Sequence, residues 1–309
     1  MSHRNSKSKI RSIMKNIRII AAAVLLTGLA AGAILFFLER RVSPWTVTQY
    51  GSSGENQMMF YTITNPKGQL VIIDGGWDTD AGEVRRVIDG HGGHVDAWII
   101  THPHPDHVGA FNAIMAANTD GSVVVDRILT VPVNGDRYRE TAHTYDVIEA
   151  YEIFDLLTKD ADNVEYLREN DTFSVIGLEA KVLHSWDENV DALPDHLCND
   201  GSMMFRVEGK RDSMLFCADV QSEMEEFILP EHREELKADY VQCAHHGNWG
   251  LTTDFYDIVS PKAAFFDAPS SVIDNEDSRY DGYLLRDYFA DAGIPVYRPE
   301  TAPNRITLR

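Results

Sequence analysis

Residues 19–38 read IIAAAVLLTGLAAGAILFFL, a run without a single charge. A helix needs ~20 such residues to cross a bilayer, so the run predicts a transmembrane helix. A buried core helix would keep a polar face, and this run has none. After Arg41 the pattern changes to short apolar stretches separated by turn residues. Residues 42–57 read as a lead-in segment. Met58–Thr64 and Leu70–Asp74 predict two strands around the turn Asn65-Pro66-Lys67-Gly68. Ala81–Asp89 has helical spacing at Val84, Val87 and Ile88, Val95–Thr101 reads as a short strand, and Val108–Ala117 as a helix. Val123–Val131 predicts a strand, and Thr144–Leu157 is the best amphipathic helix of the chain. Strands follow at Thr172–Ile176, Leu178–His184, Met203–Val207, Ser213–Ala218, Ala238–Ala244 and Ala263–Phe266. Between and after them, helices are predicted from Met224, over Thr252–Val259 and over Tyr283–Ala292. Strands alternating with helices indicate an α/β fold. Each notable polar cluster falls just after a predicted strand, where a loop on a rigid base can display functional groups.

The apolar run is flanked by Arg4, Lys7, Lys9, Arg11, Lys15 and Arg18 before it, and by Glu39, Arg40 and Arg41 after it. The basic excess lies on the N-terminal side, so the N-terminus is expected to stay in the cytoplasm and the bulk to lie outside. A cleaved signal peptide is the rival reading. Ala31-Gly32-Ala33 offers a peptidase site, but the apolar run continues through Ile34–Leu38, whereas a signal core is usually ~7–15 residues. The expected organisation is therefore a basic cytoplasmic leader at 1–18, an anchor at 19–38, and one catalytic domain at 42–309. That domain is secreted if the leader is cleaved.

Charge divides the chain in the same place. Residues 1–41 hold eight Lys or Arg and one Glu, and the remainder carries 20 basic against 47 acidic residues. An acidic body repels phosphate backbones and gains nothing from counterion release, so non-specific nucleic-acid binding is disfavoured. The expected partners are a small-molecule or ester substrate and, through residues 19–38, a membrane; no pattern specifies an oligomeric state. The three cysteines, Cys198, Cys217 and Cys243, form no CxxC pair, which argues against a structural zinc knuckle. Cys217 and Cys243 read as small buried hydrophobes.

Residues 101–107 read THPHPDH. In an extended segment His102 and His104 point the same way, and a turn then brings Asp106 and His107 alongside. Four potential ligands in six residues are too many for one tetrahedral ion that also needs distal ligands. They suit two adjacent ions, and imidazole with carboxylate suits zinc, manganese or iron. Asp74 reads as a turn-orienting carboxylate that can also hold His102 or another ligand from behind. His184, within a strand, reads as structural. No serine stands in a nucleophile-elbow context.

The THPHPDH run resembles the HxHxDH signature of the metallo-β-lactamase superfamily, and the likeness extends over roughly residues 45–309. Ile72–Gly76 (IIDGG) looks like that family's early strand and glycine turn. Cys217–Val220 (CADV) looks like its metal-bridging Asp, and Ala244–Gly247 (AHHG) like its final His ligand. The order NDGSMMF, CADV, HHG is most similar to the hydrolase domain of ComEC-type competence proteins. The resemblance implies a four-layer αββα sandwich and two divalent metal ions. It implies His102 and His104 on the first metal, Asp106 and His107 on the second, and Asp219 between them. His245 or His246 completes the second site, with His245 preferred because it follows the strand directly. His246 then faces the substrate. The family supplies a third His to the first metal some 20–25 residues before the bridging Asp; here His196 and Asn199 are the alternatives.

The expected mechanism follows from such a pair of ions. Their charge lowers the pKa of a shared water from ~15.7 towards ~7, and the resulting hydroxide attacks phosphorus or a carbonyl carbon. Asp106 would orient it and His246 would donate a proton to the leaving oxygen. A metallo-hydrolase of phosphoric esters or phosphodiesters is the leading expectation. A hydrolase of carbonyl substrates such as a lactone or thioester is the second. A non-catalytic, metal-stabilised surface binding module is the third.

Overall fold

Two seven-stranded sheets form the domain, the first mostly from the N-terminal half and the second from the C-terminal half. The computed structural model describes residues 44–309 apart from 55, 278 and 301. The expected leader and anchor at 1–18 and 19–38 lie outside the described residues. Among the described residues no helix is long and apolar enough to cross a membrane.

The first half contributes β1 (Trp45–Gln49), β2 (Phe60–Thr64), β3 (Leu70–Asp74), β4 (His94–Val95), β5 (Ala97–Ile99), β6 (Val124–Val125), β7 (Ile128–Thr130) and β8 (Val164–Tyr166). The second half contributes β9 (Thr172–Val175), β10 (Leu178–His184), β11 (Met204–Glu208), β12 (Ser213–Phe216), β13 (Tyr240–Gln242), β14 (Ala263–Phe265), β15 (Val296–Tyr297) and β16 (Asn304–Leu308). The first sheet runs β16-β1-β2-β3-β5-β7-β8, and the second β15-β14-β13-β12-β11-β10-β9, while β4 and β6 pair apart. In both sheets antiparallel strands give way to parallel ones, at β3 and at β12. The last strand, β16, returns to pair with β1, setting Leu308 opposite Trp45 and so closing the two ends of the domain together.

Strand periodicity decides which side chains meet. On one face of the first sheet Phe60, Leu70, Ile72, Trp98 and Ile128 pack against Val84, Ile88, Phe111, Ile114 and Phe154 from three helices, Ala81–Gly90, Pro105–Ala117 and Ile148–Thr158. Tyr61, one residue on from Phe60, points the other way. Its ring meets Phe216 at 5.4 Å and Phe265 at 6.3 Å in the second sheet. Phe266, next to Phe265, turns outward to Phe289 of the helix Gly282–Asp291 at 6.0 Å. The order is helices, sheet, sheet, helices. Each fully buried aromatic in these contacts contributes roughly 1.5–3 kcal/mol through burial. Truncating Trp98 to alanine would cost about 3–5 kcal/mol and leave a cavity beneath the turn after Asp74, whose carbonyl its Nε1 holds.

Expectation and structure differ at several elements; Val123–Val131 divides into β6 and β7, and three other differences have an identifiable cause. The run Val95–Thr101 divides into β4 and β5 because Asp96 accepts hydrogen bonds from the Leu70 N–H at 2.8 Å and Gln69 Nε2 at 2.8 Å, tying it to the β3 edge. The lead-in segment contains β1, whose partners β2 and β16 are invisible to local pattern. The helix expected from Thr144 starts at Ile148, because Val147 takes a left-handed φ of +47° that no α-helix accepts. The residues it releases, Tyr145 and Asp146, belong to the site.

Candidate metal centre

The polar cluster sits at the carboxyl ends of β3, β5, β12 and β13, where the two sheets meet the loops. Residues 102–104 leave β5 extended, and the helix Pro105–Ala117 begins at once with Pro105 in its first turn. Proline there has its φ set for a helix and gives up only an N–H that would lack a partner anyway. Asp106 and His107 are thereby fixed on the first turn, beside His102.

Asp74, at the end of β3, anchors this loop. Its carboxylate accepts the Thr101 N–H at 2.8 Å, the Thr101 hydroxyl at 2.7 Å and His107 Nδ1 at 2.8 Å. The last bond turns His107 Nε2 towards Asp219 Oδ1, 3.2 Å away. Asp146 acts in the same way on His104, holding its Nε2 at 3.0 Å and leaving Nδ1 for the site. Tyr138 in turn donates to the Asp146 carbonyl at 3.1 Å.

Asp219 follows β12 through Ala218, which has a left-handed φ of +49°. The buried Gln242 Oε1 accepts from the N–H groups of Cys217 and Ala218 at 2.9 and 2.8 Å and holds that turn. Asp219 Oδ2 lies 3.3 Å from His246 Nε2 and 3.9 Å from both His102 Nε2 and His245 Nε2. His246 Nε2 also stands 3.2 Å from Asp106 Oδ2.

The double histidine resolves differently from the expectation. His246, not His245, joins Asp106 and His107 in one group of potential ligands. His245, His246 and Gly247 all take positive φ, at +49°, +62° and +90°. The chain therefore coils instead of continuing the strand, and the side chain nearest the strand turns towards the cavity. Gly247 is required there, since a Cβ would lie 2.8 Å from the Phe266 ring. His245 gives Nδ1 to the Asn248 carbonyl at 2.6 Å and presents Nε2 to the cavity, 3.4 Å from Asn199 Nδ2.

Two further groups of potential ligands are buried, His102 with His107 and Asp219, and His102 with His104 and Cys198. His196 lies apart, at the cavity rim, with Nδ1 against the Tyr145 hydroxyl at 3.2 Å. His184 is structural as expected, bonded to the Asp200 carbonyl. Cys217 and Cys243 are fully buried. Cys198, close to His102 and His104, and Asp146, bonded to His104, are neighbours of the cluster that sequence reasoning missed.

Electrostatics sharpen the picture. Burial alone would expel the charges, lowering His102 well below the usual imidazole range, with His107 adding to the effect. For His246 burial acts in the same direction, but Asp219 and Asp106 outweigh it and raise the ring to about 9. Burial likewise opposes the charge on Asp219, yet His107 and His246 hold its carboxyl well below the usual range. Burial also opposes the charge on Asp106, yet His246 and His107 hold it below the usual range, so the site keeps two buried carboxylates ionised and needs cationic charge beside them. Nε2 of His102 and His107, both ring nitrogens of His246, Asp219 Oδ1 and Asn199 Oδ1 are buried with no hydrogen-bond partner. Buried polar atoms are almost always bonded. Unbonded nitrogens and oxygens converging at 3.2–3.9 Å are what divalent cations would satisfy, so the residues present fit the implied metals.

Above this floor opens a cavity of about 770 Å³. Trp77, Tyr145, Trp249 and Tyr280 line it, and Arg279 is the one Arg or Lys among its described residues. Trp249 is 49% exposed and holds a left-handed φ of +58°, its N–H bonded to Asp281 at 2.6 Å.

The chain matches in sequence the family model of the metallo-beta-lactamase superfamily over residues 57–264. No curated protein matches it. Among solved structures it is similar to the metallo-beta-lactamase fold protein YhfI from Bacillus subtilis, at 12% identity and a TM-score of 0.55, covering 86% of this chain and 99% of that one. It is also similar to CmlA, a diiron beta-hydroxylase from Streptomyces venezuelae, at 17% identity and a TM-score of 0.52, covering 85% of this chain and 54% of that one. With THPHPDH, Asp219 and His246 gathered at one sheet end and the family model spanning most of the domain, the chain belongs to the metallo-β-lactamase superfamily.

Proposed function

We propose that this chain is a membrane-anchored metal-dependent hydrolase acting on a phosphoric ester, and specifically a phosphodiester. One observation carries the reading. Unbonded buried donors converge on Asp219 at the floor of a cavity on whose wall Arg279, paired with Asp277 at 3.2 Å, is the one Arg or Lys among the described residues. In this account His102 and His104 hold a first ion, Asp106, His107 and His246 hold a second, and Asp219 serves both. Zinc fits this donor set, as do manganese and iron. Divalent cations held there supply a water nucleophile at neutral pH and offset charge on the reacting oxygens.

The chain's own residues do the rest. Asp106 and Asp219, both ionised, accept hydrogen bonds from the attacking water and so orient it. His245 Nε2 faces the cavity; with the Nδ1 proton committed to the Asn248 carbonyl, Nε2 takes a proton from the attacking water, and the ring then passes it to the leaving oxygen. Arg279 draws an anionic group to the mouth, and the exposed ring of Trp249 offers a flat surface to an ester's substituents. The ComEC-like order NDGSMMF, CADV, HHG supports phosphorus over carbonyl as the reacting centre.

The test is turnover by the full chain, purified in detergent and loaded with zinc or manganese. Bis(p-nitrophenyl) phosphate should be hydrolysed, and Asp219→Ala should abolish the reaction. Hydrolysis of thioesters or lactones alone would move the assignment to the carbonyl class. No turnover on either, with metal bound, would favour a binding module.

The basic residues ahead of 19–38 support an anchor with the domain outside the cytoplasm. Protease added to intact cells should then cleave the domain. Protection until the cells are disrupted would reverse the topology.

A further inference from the structure

We propose that Cys198 supplies a thiolate to the first metal, giving that site the donors His102, His104, Cys198 and Asp219. This rests on the dinuclear reading above. Of the two residues expected to complete the site, His196 is engaged elsewhere, and Asn199 is held by its amide nitrogen while its Oδ1 is buried without a hydrogen-bond partner. His196 stacks its ring on Tyr145 at the rim, 6.1 Å between centroids and 18° between planes. Asn199 directs Nδ2 to His245. Between them Cys198 is fully buried, and its Sγ and one nitrogen each of His102 and His104 lie within 4.8 Å of one another.

The position is built, not accidental. Leu197–Asp200 form a single helical turn, all four residues buried. The turn is closed by Asp200 N–H to the His196 carbonyl at 3.0 Å and Gly201 N–H to the Leu197 carbonyl at 2.8 Å. Gly201 lets it seat against Trp186, whose ring would stand 2.4 Å from any Cβ. Independently of the cysteine, His102 Nε2 is buried with no hydrogen-bond partner and faces Asp219. It is a donor prepared for a cation.

The geometry asks for little movement. With bonds of ~2.0–2.1 Å to nitrogen and ~2.3 Å to sulfur, two donors on one tetrahedral ion stand about 3.6 Å apart. Since the donors lie within 4.8 Å of one another, closing to that spacing needs side-chain movements of at most about an ångström. On binding, the Sγ–H bond breaks, the proton leaves to solvent, and an Sγ–metal bond forms from the sulfur lone pair. No electron is transferred. A thiolate at one ion and none at the other makes the two sites unequal, the first favouring zinc or iron over manganese.

Cobalt reports this directly. The full chain, stripped and reloaded with Co(II), should show thiolate-to-cobalt charge transfer in the near ultraviolet. Cys198→Ser should lose that band and lower the affinity for one of two ions by more than about tenfold. Wild type that binds about two cobalt ions per chain without the band would overturn the thiolate and leave the dinuclear reading standing. Wild type that binds no cobalt would overturn both. A band that survives in Cys198→Ser would assign it to another cysteine and overturn the proposal. Should that variant fail to fold, X-ray absorption on the zinc-loaded wild type decides: a sulfur shell at ~2.3 Å supports Cys198, and a purely nitrogen and oxygen shell excludes it.

Discussion

Asp74 accepts a 2.8 Å hydrogen bond from His107 Nδ1, and that bond points the opposite nitrogen at Asp219. The same carboxylate also holds Thr101, so it fixes both the loop and the ring. Groups of this kind set the tautomer and aim of a metal-binding imidazole. Asp74→Asn keeps the shape but weakens the acceptor. It should lower metal affinity ~10–100-fold, measured by competition with a chelator. Unchanged affinity would make Asp74 a purely structural turn residue.

The two histidines after β13 should separate cleanly. His246 lies 3.2 Å from Asp106 and 3.3 Å from Asp219, whereas His245 faces the cavity. His246→Ala should lose bound metal. His245→Ala should keep its metal and slow turnover by ~10²–10⁴-fold. Metal analysis alongside steady-state rates of both variants reads this, and the reverse pattern would exchange their roles.

Stability should fall with rising pH because of a carboxyl group that ties the two sheets. Asp267 accepts from Tyr61 at 2.6 Å and Gln49 at 2.7 Å. Burial raises it most, Gln49 and Tyr61 pull it back, and it rests at about 6 against an ordinary 3.8. Between these values the folded chain keeps a proton that the unfolded chain has lost. Its contribution is thus most favourable below the unfolded value and declines until the folded one is passed. The difference amounts to roughly 3 kcal/mol. In urea titrations Asp267→Asn should gain on wild type by about that much between pH 4 and pH 7. A pH-independent difference would show that Asp267 ionises normally.

How much of this was legible in the sequence depended on distance along the chain. His102, His104, Asp106 and His107 share one loop, so their convergence needs only a strand end and a turn. Asp219 and the HHG pair stood out for the same reason, each closing a short apolar strand. The order within HHG was not legible. Strand alternation fails once His245 and His246 both adopt left-handed backbone. Asp146 meets His104 across 42 residues, from a segment whose apolar spacing reads as helix. Cys198 carried one usable signal: it stands 21 residues before Asp219, inside the interval where a third donor was sought, and its side chain is a ligand type. Strand β1 was hidden because it is held by pairing with β2 and with the far C-terminal β16, which local pattern does not show.

Metal content tests the central claim most directly. The full chain should be purified in detergent, stripped with chelator, reloaded with zinc and passed through a desalting column before elemental analysis. With the donors grouped as His102, His104 and Cys198 on one side and Asp106, His107 and His246 on the other, wild type should retain about two ions per chain and Asp219→Ala fewer than about one. Wild type that retains less than about half an ion per chain after reloading would contradict a dinuclear centre, and with it the proposed hydrolysis.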